Sequence, residues 1–91
     1  MEKIDRTELD ARFAAFLDGL LRDRGLSNAG VERMTGGRIG YNRVRDLRRG
    51  ERGPVRLGEY VTLCGALGLD PERTLGRLRA DGDAAERPRE T

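Results

Sequence analysis

The chain has 91 residues with a formal net charge of +2, one cysteine and no histidine. A chain of this length forms one domain with a modest core, and the missing side chains exclude imidazole or thiolate metal clusters, histidine-dependent nucleophiles and an internal disulfide. No apolar run approaches the ~18–20 residues that span a bilayer, and no hydrophobic signal region follows the charged N-terminus. We therefore expect a cytoplasmic protein that is not an enzyme and holds no metal or cofactor, with Cys64 packed as a small hydrophobe.

The first helix is predicted from about residue 7 to residue 24. Asp5 and Glu8 offer a capping-box arrangement at its start, and Gly25 favours its end because glycine accepts the left-handed conformation that closes many helices. Its apolar side chains recur at helical spacing along one stripe, namely Leu9, Phe13, Phe16, Leu17, Leu20 and Leu21.

A short second helix is predicted to follow Ser27, which is a good N-cap. It presents Val31 and Met34 inward and stops at the glycine pair 36–37. Because a helix of this length is not stable alone in water, other helices must hold it in place.

The third helix is predicted to start near residues 40–42 and to end at Arg49, with Val44 and Leu47 inward and Gly50 behind it. It too is short and depends on its neighbours for stability.

A loop is predicted over residues 51–56, because Pro54 lacks an amide donor and biases Gly53 away from helix. The fourth helix opens at Leu57 and stops at Gly68. Five side chains lie on or near its inner face by their spacing, namely Tyr60, Val61, Leu63, Cys64 and Leu67.

The fifth helix is predicted to begin after Asp70, an N-cap that proline follows at the first helical position. Leu75 and Leu78 give it an apolar side. Residues 81–91 have no apolar periodicity, so we expect a disordered C-terminal tail. The sequence therefore predicts an all-α fold, a compact bundle of about five short helices, in a single domain of residues 1–80.

Three patches carry a resemblance to a known family. They are R-G-L-S at 24–27, V-R-D-L-R-R-G at 44–50 and L-G-E-Y-V-T-L-C-G-A-L-G-L at 57–69. In this order and separation they resemble the helix-turn-helix family of the lambda repressor and Cro proteins, over roughly residues 13–78. The resemblance implies a lambda-repressor-like DNA-binding domain.

The chain departs from that family at two connections. The turn of residues 35–39 is about two residues longer than usual, and the loop of residues 51–56 about one residue longer. Thr35 also stands where the pattern favours an apolar residue. A turn of this length is expected to tilt the recognition helix or to start it later, which bears most on the residues near its N-terminus.

The outer face of the third helix is suited to DNA, because the major groove is about as wide as one α-helix. Asparagine pairs with adenine through two hydrogen bonds, and arginine pairs with guanine in the same way. With Val44 and Leu47 inward, the outward residues are Asn42, Arg43, Arg45, Asp46 and Arg49. The resemblance itself places Tyr41, Asn42, Arg45 and Asp46 at base-facing positions.

Each of these assignments has a simpler alternative. Asn42 is otherwise only the N-cap of the third helix, and outward arginines are often merely solvated surface. Asp46 either accepts from a cytosine amino group or orients Arg43 or Asn42 from within the helix.

Candidate phosphate contacts flank the third helix. Ser27 and Asn28 begin the second helix, Arg38 lies in the turn, and Arg52 and Arg56 lie in the loop that follows. Residues 22–56 carry 10 arginines against 4 acidic residues, a net charge of +6, whereas the segments on either side each carry −2. Such a distribution is typical of a surface that faces a polyanion.

The sequence therefore predicts a sequence-specific transcriptional regulator of double-stranded DNA, a repressor or Cro-like switch protein associated with the nucleoid. The alternative is an antitoxin or adaptor that uses the same fold to bind a protein. We expect a homodimer on an inverted repeat, through Leu69, Leu75 and Leu78. The alternative is that these three leucines complete the core and make no dimer contact.

Overall fold

The computed structural model describes the backbone of residues 6–84 and the side chains of residues 8–80. This part of the chain is helical throughout and contains no strand. The five helices are α1 (Arg6–Arg24), α2 (Asn28–Met34), α3 (Tyr41–Arg49), α4 (Leu57–Leu67) and α5 (Pro71–Ala84). The predicted all-α class and the number of helices are confirmed. The predicted Asp5 cap and residues 85–91 of the predicted tail lie outside the described residues.

Local side chains explain where several helices begin. The Ser27 hydroxyl accepts a hydrogen bond from the backbone N–H of Gly30 at 3.0 Å, which confirms it as the N-cap of α2. Asp70 accepts from the N–H of Glu72 at 2.9 Å at the start of α5. Gly40 stands at the N-cap of α3. Asn42 is therefore inside the first turn, and the alternative that it caps this helix is wrong.

The first four helices end in the same way, at a glycine with positive φ. After α3, the N–H of Gly50 (φ 71°) donates to the carbonyl of Leu47, and the N–H of Glu51 donates to that of Asp46. This double hydrogen bond is the Schellman motif, which needs a left-handed residue and therefore favours glycine. The same motif closes α1, α2 and α4 at glycines that the sequence predicts as helix ends.

The core lies where α1 packs on α3 and α5, while α2 packs on α3 and α4. Its buried apolar side chains are Phe13, Leu17, Leu21, Val31, Ile39, Val44, Leu47, Leu63, Leu67 and Leu78. Leu78 is only 2% exposed, so it completes the core and is not available as a dimer contact. Leu69 is half-buried against the same cluster, and Leu75 is 39% exposed.

Two residues predicted to face inward lie at the surface. Met34 is 43% exposed because it is the last residue of α2, and Ile39, in the following turn, fills the core instead. Val61 is 49% exposed, since on a helix of 3.6 residues per turn it points away from the side that Leu63 and Leu67 bury.

Helix α5 runs to Ala84, four residues past the predicted domain boundary. Each further helical residue adds a backbone hydrogen bond, which favours the extension of a helix that has already formed. No helix within residues 6–84 is both long and apolar enough to cross a bilayer.

Candidate nucleic-acid interface

One exposed face of α3 holds four of the predicted base-reading residues. With about 100° of rotation per residue, Tyr41, Asn42, Arg45 and Arg49 fall within an arc of about 100°. Tyr41 is 47% exposed, Asn42 and Arg49 are also exposed, and the Arg45 side chain is 35% exposed. The opposite side of the helix is buried in the core. The helix therefore presents an aromatic ring, an amide and two guanidiniums side by side.

Arg43 does not share this exposed face, so the prediction that it points outward is wrong. Its Nε donates to Glu59 Oε2 at 2.7 Å and its Nη2 to Glu59 Oε1 at 2.9 Å, which joins α3 to α4. The same guanidinium donates to the carbonyls of Arg52 and Pro54, each at 3.0 Å. Hydrogen bonding to Arg43 holds the pKa of the Glu59 carboxyl below its ordinary value.

Asp46 is also turned away from the exposed face. It is 9% exposed, and it lines a polar groove of about 530 Å³ beside Arg43, Arg56 and Glu59. Its Oδ1 accepts only long hydrogen bonds from Arg45, at 3.3 and 3.4 Å. The prediction that Asp46 lies outward is therefore wrong. Its helical position lies about 40° beyond the exposed arc, on the side of the helix that faces this groove.

The loop after α3 exposes the two predicted phosphate-binding arginines, Arg52 and Arg56. Arg52 has φ 64° and the next residue, Gly53, has φ 85°, so two left-handed residues in succession bend the chain. Arg52 is the one residue other than glycine with positive φ among those that the structure describes. Since Arg43 holds the carbonyls on both sides of Gly53, the bend is tied to α3.

The turn before α3 is long but well bonded. Gly36 (φ 67°) and Gly37 (φ 82°) carry the chain around, and Ile39 returns it to the core at 3% exposure. Buried Thr35 donates its hydroxyl to the carbonyl of Glu32 at 2.9 Å and accepts from the N–H of Ile39 at 3.2 Å. The buried Thr35 hydroxyl therefore has hydrogen-bond partners at a position where the family pattern favours an apolar residue. Arg38 is exposed on this turn.

The start of α2 has structural roles that are independent of any phosphate. Ser27 caps the helix, and Asn28 accepts a hydrogen bond through Oδ1 from Arg48 Nη1 at 2.8 Å. Ser27 is exposed and Asn28 is half-buried. Their phosphate contacts stay predictions.

A polar groove of about 330 Å³ lies between α1, α2 and α3. Four arginines and one amide line it beside a single carboxylate, namely Arg22, Arg45, Arg48, Arg49, Asn28 and Asp18. Sequence reasoning missed Arg22 and the placement of Arg48. The Asp18–Arg22 pair has a visible signal, because an acid and a base four residues apart are neighbours on a helix. No such signal links Arg48 to Asp18, 30 residues away.

Within the described residues, no three His, Cys, Asp or Glu side chains are grouped as metal ligands. Cys64 is buried with a free thiol, as predicted, and burial raises its pKa. No family model matches the chain, and no similar curated protein or solved structure was found. The resemblance to helix-turn-helix repressors therefore stays a prediction.

Proposed function

We propose that this protein is a sequence-specific transcriptional regulator that binds double-stranded DNA. In this proposal α2, the turn of residues 35–40 and α3 form a helix-turn-helix, and α3 enters the major groove. The protein acts in the cytoplasm on the nucleoid as a repressor or Cro-like switch. The observation that carries the proposal is the exposed arc of Tyr41, Asn42, Arg45 and Arg49 on a helix whose opposite side is buried in the core.

The chemistry of this arc matches what base reading requires. The Asn42 amide both donates and accepts, as the edge of adenine needs, and the guanidiniums of Arg45 and Arg49 suit the two acceptors of guanine. Each such pair discriminates between bases by about 1–3 kcal/mol. Tyr41 adds an aromatic edge beside them, where it contacts a thymine methyl or the sugar.

The surroundings of α3 suit a DNA backbone. Arg38 lies in the turn before the helix, while Arg52 and Arg56 lie in the loop after it, and all three are exposed. A subunit that contacts about 4–6 phosphates loses affinity with salt along a log–log slope of about −4 to −5.

A single domain of this size buries too little surface for tight binding, so the proposal includes a homodimer on an inverted repeat. Exposed apolar side chains on α4 and α5 support it. Leu57 is 78% exposed, Val61 49% and Leu75 39%, in a chain in which 37% of the residues are charged. The same surface favours the second candidate, an antitoxin or adaptor that binds a different protein.

Binding-site selection from randomised duplex DNA tests the proposal. We expect an enriched inverted repeat, and we expect the Arg45→Ala/Arg49→Ala variant to lose enrichment while it stays folded. The Arg73→Ala variant is the matched control, because Arg73 is exposed on α5 and no Cα atom of α5 lies within 8 Å of one in α3. A wild-type protein that enriches no sequence overturns the proposal and favours the protein-binding candidate.

A further inference from the structure

The Arg43–Glu59 ion pair joins a side chain of α3 to one of α4. No Cα atom of α3 lies within 8 Å of one in α4. The two side chains are nevertheless joined by two hydrogen bonds of 2.7 and 2.9 Å, with the Arg43 side chain 22% exposed and that of Glu59 17% exposed. Besides the core to which both helices contribute, this pair and the loop that runs between them join the two helices.

Arg43 has almost no hydrogen-bonding capacity left for a base. A guanidinium has five N–H donors, and Arg43 makes four hydrogen bonds, two to Glu59 and two to loop carbonyls. Reading guanine takes two donors directed at the same base edge. Arg43 can supply them only after it releases Glu59 or the loop.

The same hydrogen bonds determine the shape of the loop. A left-handed residue other than glycine is held in place only where its surroundings enforce it. Arg43 Nη1 binds the carbonyl of Arg52 itself, the residue with φ 64°. At the other end of the loop, Glu59 Oε1 accepts from the N–H of Arg56 at 3.0 Å. One ion pair therefore holds both predicted phosphate-binding arginines.

We infer that Arg43 and Glu59 are positioning residues, which act on DNA through the loop of residues 50–56. Their ion pair holds Arg52 and Arg56 in the conformation that meets the phosphate backbone, and Arg43 reads no base. This inference rests on the proposed DNA-binding function. Its effect is preorganisation, because binding does not then have to order the loop and two long side chains.

The test compares the Arg43→Lys and Glu59→Gln variants with the wild-type protein. Lysine keeps the charge but cannot make the four hydrogen bonds, and glutamine keeps the shape but removes the ion pair. Glu51→Gln is the control, because it removes an exposed carboxylate of the same loop whose side chain makes no ion pair among the described residues. Affinity, salt dependence and base preference are measured on the selected DNA site.

We expect both variants to weaken binding to every sequence by a similar factor, about 5- to 100-fold for two side chains that must be ordered on binding. The base preference stays that of the wild type. Adding Arg52→Ala to either variant then costs less than adding it to the wild-type protein, because the ordering of the loop already offsets part of what the Arg52 contact contributes. A loss confined to one base pair in Arg43→Lys, with Glu59→Gln neutral, overturns the inference and makes Arg43 a base-reading residue.

Hydrogen exchange in the free protein separates this inference from the proposed function. We expect the amide of Arg56, which donates to Glu59, to exchange faster in both variants, while those in the middle of α1 keep their protection. Unchanged loop exchange overturns the inference even if the protein binds DNA. Faster loop exchange in a protein that binds no DNA shows that the Arg43–Glu59 ion pair holds the loop but refutes the DNA-binding function. If the Arg43→Lys variant does not fold, loop exchange and DNA binding of the Glu59→Gln variant test the inference alone.

Discussion

Arg48 on α3 donates a hydrogen bond from Nε to Oδ1 of Asp18 on α1 at 2.8 Å. The same guanidinium reaches Asn28 at the start of α2, so one side chain joins three helices. The Arg48 side chain is only 16% exposed. Hydrogen bonds from Arg22 and then from Arg48 hold the pKa of the Asp18 carboxyl below its ordinary value. Arg49, the next residue, is exposed.

Replacing these two neighbouring arginines by methionine is expected to have opposite effects. Arg48→Met loses, among other contacts, the hydrogen bond to Asn28. That bond alone contributes about 1 kcal/mol, a drop in melting temperature of roughly 4–8 °C for a domain of this size. Arg49→Met changes stability by no more than about 0.5 kcal/mol but weakens DNA binding. Thermal unfolding and DNA titration of both variants check this, and equal effects in the two assays would contradict the assignment.

Thr35 is expected to be more important for stability than its place in a turn suggests. Thr35→Val keeps the shape but leaves the buried N–H of Ile39 without its acceptor, which costs about 1–3 kcal/mol in the free energy of unfolding. Thr35→Ser keeps the hydroxyl and loses one methyl group, about 1 kcal/mol. Chemical denaturation of both variants measures the difference. A valine variant more stable than the serine variant would show that the hydroxyl does not hold the turn.

Much of the fold is predictable because its signals are local. Ser27 caps a helix by bonding to a backbone group three residues on, and the helix-closing glycine Gly50 needs only its own left-handed conformation. The apolar spacing of the helices likewise identifies most of the core, including Leu17 and Leu63. These features depend on residues within one or two helical turns, so they are visible in the sequence.

The candidate site is less predictable because distant partners decide which arginines are free. Arg43 and Arg45 both lie on the predicted outer face of α3, yet only Arg43 pairs with a carboxylate from another helix, that of Glu59, 16 residues away on α4. Arg45 makes only long hydrogen bonds to its neighbour Asp46. Arg48 similarly donates a hydrogen bond to the carboxylate of Asp18 on α1. The burial of Ile39 is not predictable from the sequence, because this residue is in a turn, where no periodicity marks a core residue. A count of arginines therefore overstates the cationic surface. That surface consists mainly of arginines that are not paired with a carboxylate on another helix.

Self-association is expected to depend on the exposed apolar side of α4. Changing Leu57 and Val61 together to serine should raise the dimer dissociation constant by at least about tenfold, because it removes about 1.5 kcal/mol or more of apolar burial. The free energy of unfolding of the monomer should change little, since both residues are largely exposed. Sedimentation equilibrium measures the dissociation constant.

The Leu75→Ser variant shows, by the same measurement of the dimer dissociation constant, whether the dimer surface extends beyond α4 to α5.

Binding to a half-site should survive the Leu57→Ser/Val61→Ser change, while cooperative binding to the full inverted repeat is lost. A doubly substituted protein that dimerises like the wild type would place the dimer surface elsewhere.

Stability at alkaline pH is expected to depend on Tyr60. Its hydroxyl donates to the carbonyl of Pro71 at 2.6 Å, its ring meets Phe13 edge-on at 5.5 Å, and burial raises its pKa from 10.0 to about 12. A raised pKa in the folded state means that this contribution to stability is complete below pH 10 and is lost as the pH rises towards 12. Burial also raises the pKa of Cys64, which acts in the same direction.

The Tyr60→Phe variant isolates this contribution, because it keeps the ring against Phe13 and removes only the ionisable hydroxyl. At neutral pH it should lose about 0.5–1.5 kcal/mol, the usual net value of one hydrogen bond. Between pH 10 and 12 the wild type should lose stability more steeply than the variant, so that their unfolding free energies converge. Denaturant titrations across this range test the prediction. A constant difference between the two proteins would mean that Tyr60 ionises equally in the folded and unfolded states.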